Sequence, residues 1–240
     1  SVLIPRMSEL QMRGEKTEII RLTARAMQKL AFFYFPAYVF LLVTARTFIT
    51  TLFTDKFAAS VPIFLINITL LPFDILIVDP IVRAHKELGR FLLSLRVFIF
   101  IGLLAALYFG IQYFDLRGMI AIVVVTSLLE RFISIGVIAR KIGFRRDDLP
   151  LLSGVWKTAV AALAGGAILL AFYQFGKTSL LNLCVELSRA ALAVVHLEKG
   201  AEFFGRSLFL GLCLIIFAVV YLFAANRFGL IDEAEKAGAK

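Results

Sequence analysis

The sequence predicts an all-α fold: a polytopic transmembrane helix bundle of about six spans, with amphipathic interfacial helices between them. Three observations predict it. Of 240 residues 60% are hydrophobic and 18% charged, with mean hydropathy +0.90, against roughly 45–50% apolar and about 25% charged in soluble domains. The apolar residues gather in blocks of about 20, the length that crosses a hydrocarbon core. Finally, Lys and Arg are swept into the gaps, which are alternately rich and poor in them.

The first block covers about 31–53 and contains Pro36. The second, about 61–82, contains Pro62, Pro72 and Pro80. The third is 92–114, the fourth 117–139, the fifth about 151–175 and the sixth 207–225. Arg6, Arg13, Lys16, Arg21, Arg25 and Lys29 precede the first block, and Lys56 alone follows it. Arg83, Lys86 and Arg90 follow the second, Arg117 opens the fourth, and Arg140, Lys141, Arg145 and Arg146 follow that. Rich gaps mark the cytoplasmic side. The segments 83–90 and 140–146 are therefore expected inside, and Asp55, Lys56 and Asp115 outside. Both ends of the chain fall in the cytoplasm, as in a multi-pass protein of the cytoplasmic (inner) membrane. The same rule accounts for the net charge of +9 without a polyanion partner. No nucleic-acid-binding motif is present.

Two connecting segments read as helices. In 15–30, Glu18, Arg21, Arg25 and Lys29 recur at helical intervals with Ile19, Ile20, Met27 and Leu30 between them, an amphipathic helix running straight into the first span. In 180–197, Asn182, Glu186, Arg189 and His196 share one stripe, which suits a helix lying in the outer interface. This divides the chain into 1–143 (the end of a preceding helix plus four spans), 144–226 (two further spans with the interfacial helix) and a polar cytoplasmic tail, 227–240. The opening SVLIPRMSEL reads as the last turn of a helix, so the chain is expected to be the C-terminal part of a longer protein. Cys184 and Cys213 lie in separate apolar segments and are expected as small buried hydrophobes.

Ionisable groups deep in a membrane are costly and face protein or water. At about 1.5 Å rise per residue, Asp74 and Glu130 lie within roughly 5 Å of their spans' midpoints, with Arg46 and Arg131 slightly further out. Asp79 and Arg96 sit nearer the interface. Glu130 and Arg131 share a face with Thr126, Ser127 and Ser134, and Arg46 lies beside Thr44, Thr47, Thr50, Thr51 and Thr54. Two readings stay open: these charges line a wet cavity between packed helices, or they pair with neighbours and fix the packing. Pro72 and Pro80 bracket Asp74 and Asp79, a pattern suited to a broken, hinged helix. Ala161 with Gly165 and Ala162 with Gly166 permit close helix approach.

Nothing points to an enzyme, a cofactor or a metal site. His85 and His196 lie in connecting segments, and hydrolase, phosphate-loop and metal-ligand spacings are absent.

The order of features resembles a known family. VLIPRMSEL leads into the basic amphipathic stretch, then FFYFPAYVFLL, LFTDKFAASVPIFLI, a span ending DPIVRAHKELGR, and FDLRGMIAIVVVTS. Over 1–143 this resembles the C-terminal half of polysaccharide (O-antigen type) flippases of the multidrug/oligosaccharidyl-lipid/polysaccharide exporter superfamily. Two later spans match members with fourteen helices. The resemblance implies two helix bundles around a cavity that opens alternately to either side. It implies a partner, an oligosaccharide linked to isoprenoid pyrophosphate, besides membrane lipids and the N-terminal half of the same protein. Arg46, Arg131 and Arg96 would then attract the pyrophosphate, and Asp74 and Glu130 would pair with them or bind a coupling cation. The alternatives are a multidrug/cation exporter of the same superfamily, which an acidic cavity would favour, and a membrane-embedded glycan polymerase or ligase, for which 176–206 is the one candidate outer segment. A non-transporting envelope scaffold would instead show a dry, packed interior.

Overall fold

In a computed structural model, residues 7, 9–10, 12–76, 86–193 and 200–230 are described. The expectations for Asp79, Pro80, His85, His196 and the tail past Leu230 lie outside them. Among the described residues the chain is helical, without strands: α1 (Lys16–Phe53), α2 (Val61–Ile68), α3 (Lys86–Gly110), α4 (Leu116–Ile142), α5 (Ser153–Ala193) and α6 (Ala201–Arg227). Six stretches are long and apolar enough to cross a membrane; the second, Asp55–Ile75, is α2 with the 3-10 turns on either side of it. Two units divide the chain: Ser1–Tyr34 with Ile66–Trp156, and Phe35–Leu65 with Lys157–Lys240.

In the first unit, the amphipathic start of α1 buries Ile19, Ile20 and Ala24 and leaves Arg21, Arg25 and Lys29 exposed. As expected, this segment continues without a break past Leu30. Ile20 joins a core with Met7, Leu88 and Leu92 of α3, and Ile138 and Ile142 of α4. The other face of α3 leaves Leu93, Val97, Phe98 and Ile101 more than half exposed. A water-facing surface rarely carries so contiguous an apolar patch, whereas lipid favours one.

Sharp signals bound α4. The Asp115 carboxylate accepts from Gly118 N at 3.0 Å, capping the helix start. At its other end Gly143 turns to φ 76°, while Phe144 N donates to Ala139 O (2.9 Å) and Gly143 N to Arg140 O (3.3 Å). That is a Schellman ending, and glycine supplies the left-handed residue.

The second stretch, expected over about 61–82, has its α-helix start at Val61, with the turn Asp55–Ser60 running directly into it; residues 77–82 lie outside the described residues. The stretch is interrupted. Thr69 N and Leu70 N donate to Ile66 O and Asn67 O at 3.3 and 3.2 Å, and a 3-10 turn follows over Leu71–Ile75. Pro72 lacks the N–H that a continuous helix would direct at the carbonyl of Ile68. The break therefore falls just before Asp74.

The second unit packs the end of α1 with α5 and α6, partly through small residues. α6 buries Ala201, Gly205, Phe209, Cys213, Phe217, Tyr221 and Ala225, one residue in every four. At about 100° per residue a four-residue step advances by roughly 40°, so the stripe winds around the helix and meets more than one neighbour. Phe209 meets Tyr173 of α5 with ring centroids 6.0 Å apart, and Phe217 meets Phe40 of α1 at 5.9 Å. The small pairs of α5 serve both approaches. A Cβ on Gly165 would stand 3.2 Å from the Phe217 ring, and one on Gly166 would stand 2.2 Å from Val39 Cγ1. Cys184 and Cys213 are buried free thiols.

The expected interfacial helix at 180–197 is corrected. Its described part is not a separate helix: α5 runs unbroken for 41 residues to Ala193. Gly176 is the only helix-weakening residue at the supposed junction, and a lone glycine costs only about 1 kcal/mol without a proline to remove a hydrogen bond. Lys177 Nζ lies 5.0 Å from the centroid of the Tyr173 ring, a contact that crosses the junction. Beyond it Cys184 is buried, and a Cβ on Gly205 would stand 2.6 Å from Val185 Cα. The segment packs on α6. Its polar stripe Asn182, Glu186 and Arg189 stays exposed.

Candidate functional site

Three of the deep charges, Asp74, Glu130 and Arg131, form ion pairs in the first unit, with Arg96 as the fourth partner. Glu130 and Arg131 are successive residues of α4, so their side chains leave the helix about 100° apart and reach different neighbours. Arg96 Nε of α3 donates to Glu130 Oε1 at 2.8 Å. Arg131 forms an ion pair with the Asp74 carboxylate and donates to the Phe73 carbonyl at 2.9 Å. One guanidinium thus holds both a carboxylate and a main-chain carbonyl of the interrupted second stretch. Phe73 also packs edge-on against Phe132, centroids 5.5 Å apart.

Exposure decides what these pairs are. Side-chain exposure is 32% for Arg131, 34% for Asp74, 30% for Glu130 and 53% for Arg96. The pairs are neither sealed in a core nor free in solvent; they lie along a surface of this unit. Two arginines and two carboxylates also balance, leaving no net charge on this set. An isolated charge at a helix centre costs about 2.5–3.5 kcal/mol on insertion scales, and pairing offsets much of that. Two other members of the α4 polar face are satisfied within the helix: Thr126 and Ser127 hydroxyls donate to Ile122 O (2.8 Å) and Val123 O (2.9 Å).

Arg46 belongs to the second unit, and its expected polar face divides. Thr44, Thr47, Thr50 and Thr51 are buried, while Arg46 is exposed. A threonine hydroxyl can bond the carbonyl one turn back and so be buried without a hydrogen-bond deficit. Thr44 donates to Phe40 O at 2.8 Å, Thr50 to Arg46 O at 3.0 Å and Thr51 to Thr47 O at 2.6 Å, while Thr47 Oγ1 meets Tyr173 Oη at 2.6 Å. A guanidinium has no such local partner. Arg46 forms none of the ion pairs found among the described residues.

Sequence reasoning missed one group. Arg206 of α6 makes a two-pronged ion pair with Asp55, at 2.9 and 2.7 Å, reaches Thr50 O at 3.4 Å, and lies 3.7 Å from Glu202. Asp55 follows Thr54, whose backbone sits at φ 71°, ψ 168°, a region almost reserved for glycine. The fork holds a strained turn. The signal available in sequence was local only: Arg206 stands one helical turn after Glu202, at the start of a span. Thr54→Gly is expected to relieve the strain and stabilise the protein by about 1 kcal/mol, read as a higher thermal midpoint in detergent. Arg206→Lys is expected to lower that midpoint, because an ammonium cannot reproduce the fork.

Residues 1–62 match a protein family described as polysaccharide biosynthesis protein. No curated protein and no solved structure matches the chain. The matched part covers α1, with Arg46, and the turn that follows; it ends before Asp74. Together with six helices long and apolar enough to span a bilayer, it supports a membrane protein of polysaccharide biosynthesis.

Proposed function

We propose that this chain is the C-terminal part of a transporter that flips an isoprenoid-pyrophosphate-linked oligosaccharide across the cytoplasmic membrane by alternating access, with both ends of the chain in the cytoplasm. It is a carrier, not an enzyme, and it uses no cofactor. The observation that carries this reading is Arg46: an exposed guanidinium that joins none of the ion pairs found among the described residues, on the helix matched to polysaccharide biosynthesis. Its charge acts on Asp55, but that carboxylate is forked by Arg206; an exposed guanidinium of this kind is suited to a mobile anion, and pyrophosphate is the anionic part of such a substrate.

The first unit's pairs take a different part. Arg131 clamps the interrupted stretch at Asp74 and Phe73, so the break after Ile68 becomes a fixed elbow about which the rest of the stretch turns. Among the described residues of this unit, the paired arginines and carboxylates show no excess of acid for a cationic drug.

Arg46→Gln in the full-length protein is expected to lower glycan export at least tenfold while protein level and thermal midpoint stay unchanged, measured as surface glycan against immunoblotted membrane protein. Normal export by that variant would overturn the role of Arg46. Cysteine labelling tests the orientation: a cysteine at Lys56 should react with an impermeant reagent added outside, and one at Arg146 should not.

A further inference from the structure

Between the amphipathic start of α1 and the end of α4, the first unit holds a half-open cavity of about 180 Å³. Ile20, Ala24 and Met27 line one wall, and Ile135, Ala139 and Ile142 the other. The single hydroxyl on its lining, Thr23, is spent on the carbonyl of Ile19 at 2.8 Å. Water has no polar group there to hold it, and an apolar cavity of about 150 Å³ accepts a benzene-sized apolar guest. The space suits a segment of hydrocarbon chain.

The two segments that form the walls are also the most basic in the described chain. Over 16–29 and 140–148 they carry Lys16, Arg21, Arg25, Lys29, Arg140, Lys141, Arg145 and Arg146, eight cations, against Glu18, Asp147 and Asp148, three carboxylates. Arg25 adjoins Ala24 on one wall and Arg140 adjoins Ala139 on the other. Both arginines are exposed, and neither joins the ion pairs found among the described residues. Basic residues beside a pocket between membrane helices attract anionic headgroups.

We propose that this cavity is a binding site for an anionic phospholipid, one acyl chain entering between α1 and α4 and the phosphate meeting Arg25 and Arg140. The site goes beyond the proposed transport and does not depend on it. The carried glycan has no place in it, because no polar group on the walls could read a sugar. A resident lipid of this kind would brace the amphipathic start of α1 against the end of α4.

Native mass spectrometry of the whole chain in detergent, titrated with phosphatidylglycerol or with phosphatidylcholine of the same acyl chains, tests this without a transport assay. Phosphatidylglycerol is expected to bind at least tenfold more tightly. The double variant Arg25→Gln/Arg140→Gln, on exposed positions, should erase that preference. Ala139→Leu, which fills the cavity, should lower binding of both lipids about tenfold. If Ala139→Leu does not fold, Met27→Trp fills the same space from the other wall. Equal binding of the two lipids, or an unchanged preference in the arginine variant, would overturn the proposal. So would displacement by polyprenyl phosphate at lower concentration than by phosphatidylglycerol, which would assign the cavity to the transported substrate's tail.

Discussion

Gly205→Ala is expected to destabilise the protein by about 3 kcal/mol, the upper range for overpacking a close contact. The added methyl would stand 2.6 Å from Val185 Cα and 2.9 Å from Val185 N. Main chain inside a helix cannot rotate aside as a side chain can, so α5 and α6 would have to separate. The neighbouring stripe would then lose contact with them, including Phe209 on Tyr173. Gly166→Ala is expected to cost less, about 1–2 kcal/mol, although its methyl would come within 2.2 Å of Val39 Cγ1, because the atom in the way is a side-chain methyl and not main chain. Gly211, also in α6, supplies the control. Nothing lies within 4 Å of a Cβ built there, so Gly211→Ala should be neutral or stabilise by up to about 1 kcal/mol through helix propensity. Thermal midpoints of the three variants in one detergent give the ranking. Equal midpoints for Gly205→Ala and Gly211→Ala would remove the contact between α6 and the late part of α5, and with it the correction to the interfacial helix.

What the sequence made legible follows the range of the forces involved. Hydropathy over about 20 residues reports directly on solvent, so the positions of the spans could be read, with α1 and α4 close to expectation. Glycine and alanine at four-residue spacing report on closeness, and Gly165 and Gly166 do sit against neighbouring helices. Asp74, Glu130 and Arg131 were visible because a deep charge is costly wherever it points. Their partners were not visible. Arg131 meets Asp74 and Phe73, 57 and 58 residues earlier, and Arg206 meets Asp55 across 151; no periodicity encodes such pairs. Polarity alone did not separate Arg46 from its threonines. A threonine and an arginine count alike in a helical polar stripe, yet a hydroxyl satisfied by its own helix can be buried without an outside partner, whereas a guanidinium that turns inward needs one, as Arg131 and Arg206 show. The end of α5 failed for a related reason. Asn182, Glu186 and Arg189 share a stripe whether the helix lies on a surface or stands against α6, and only the packing of Cys184 and Val185 tells the two apart.

Arg131→Gln is expected to reduce the amount of folded protein severalfold and to lose export in the same proportion, unlike Arg46→Gln. The guanidinium serves two acceptors at once, the Asp74 carboxylate and the Phe73 carbonyl at 2.9 Å. Removing it strands a carboxylate at depth, at a cost of roughly 2–3 kcal/mol on insertion scales, and frees the carbonyl beside the helix break. Adding Asp74→Asn should restore most of the folded protein, because the amide carries no charge to strand. Reversing the pair, Asp74→Arg with Arg131→Asp, should restore less. A carboxylate on α4 cannot donate to the Phe73 carbonyl, so the ion pair returns without its main-chain clamp. Membrane-inserted protein level, thermal midpoint and export measured on the single, double and reversed variants separate these terms. If Arg131→Gln keeps its level and midpoint but loses export, Arg131 meets the substrate and the clamp is not what it supplies. If the neutral double variant is no better than the single, the carboxylate is stabilised by something other than Arg131. The elbow at Pro72 would then stand on its own backbone geometry, and the export of a correctly inserted double variant would show whether the transporter needs the clamp at all.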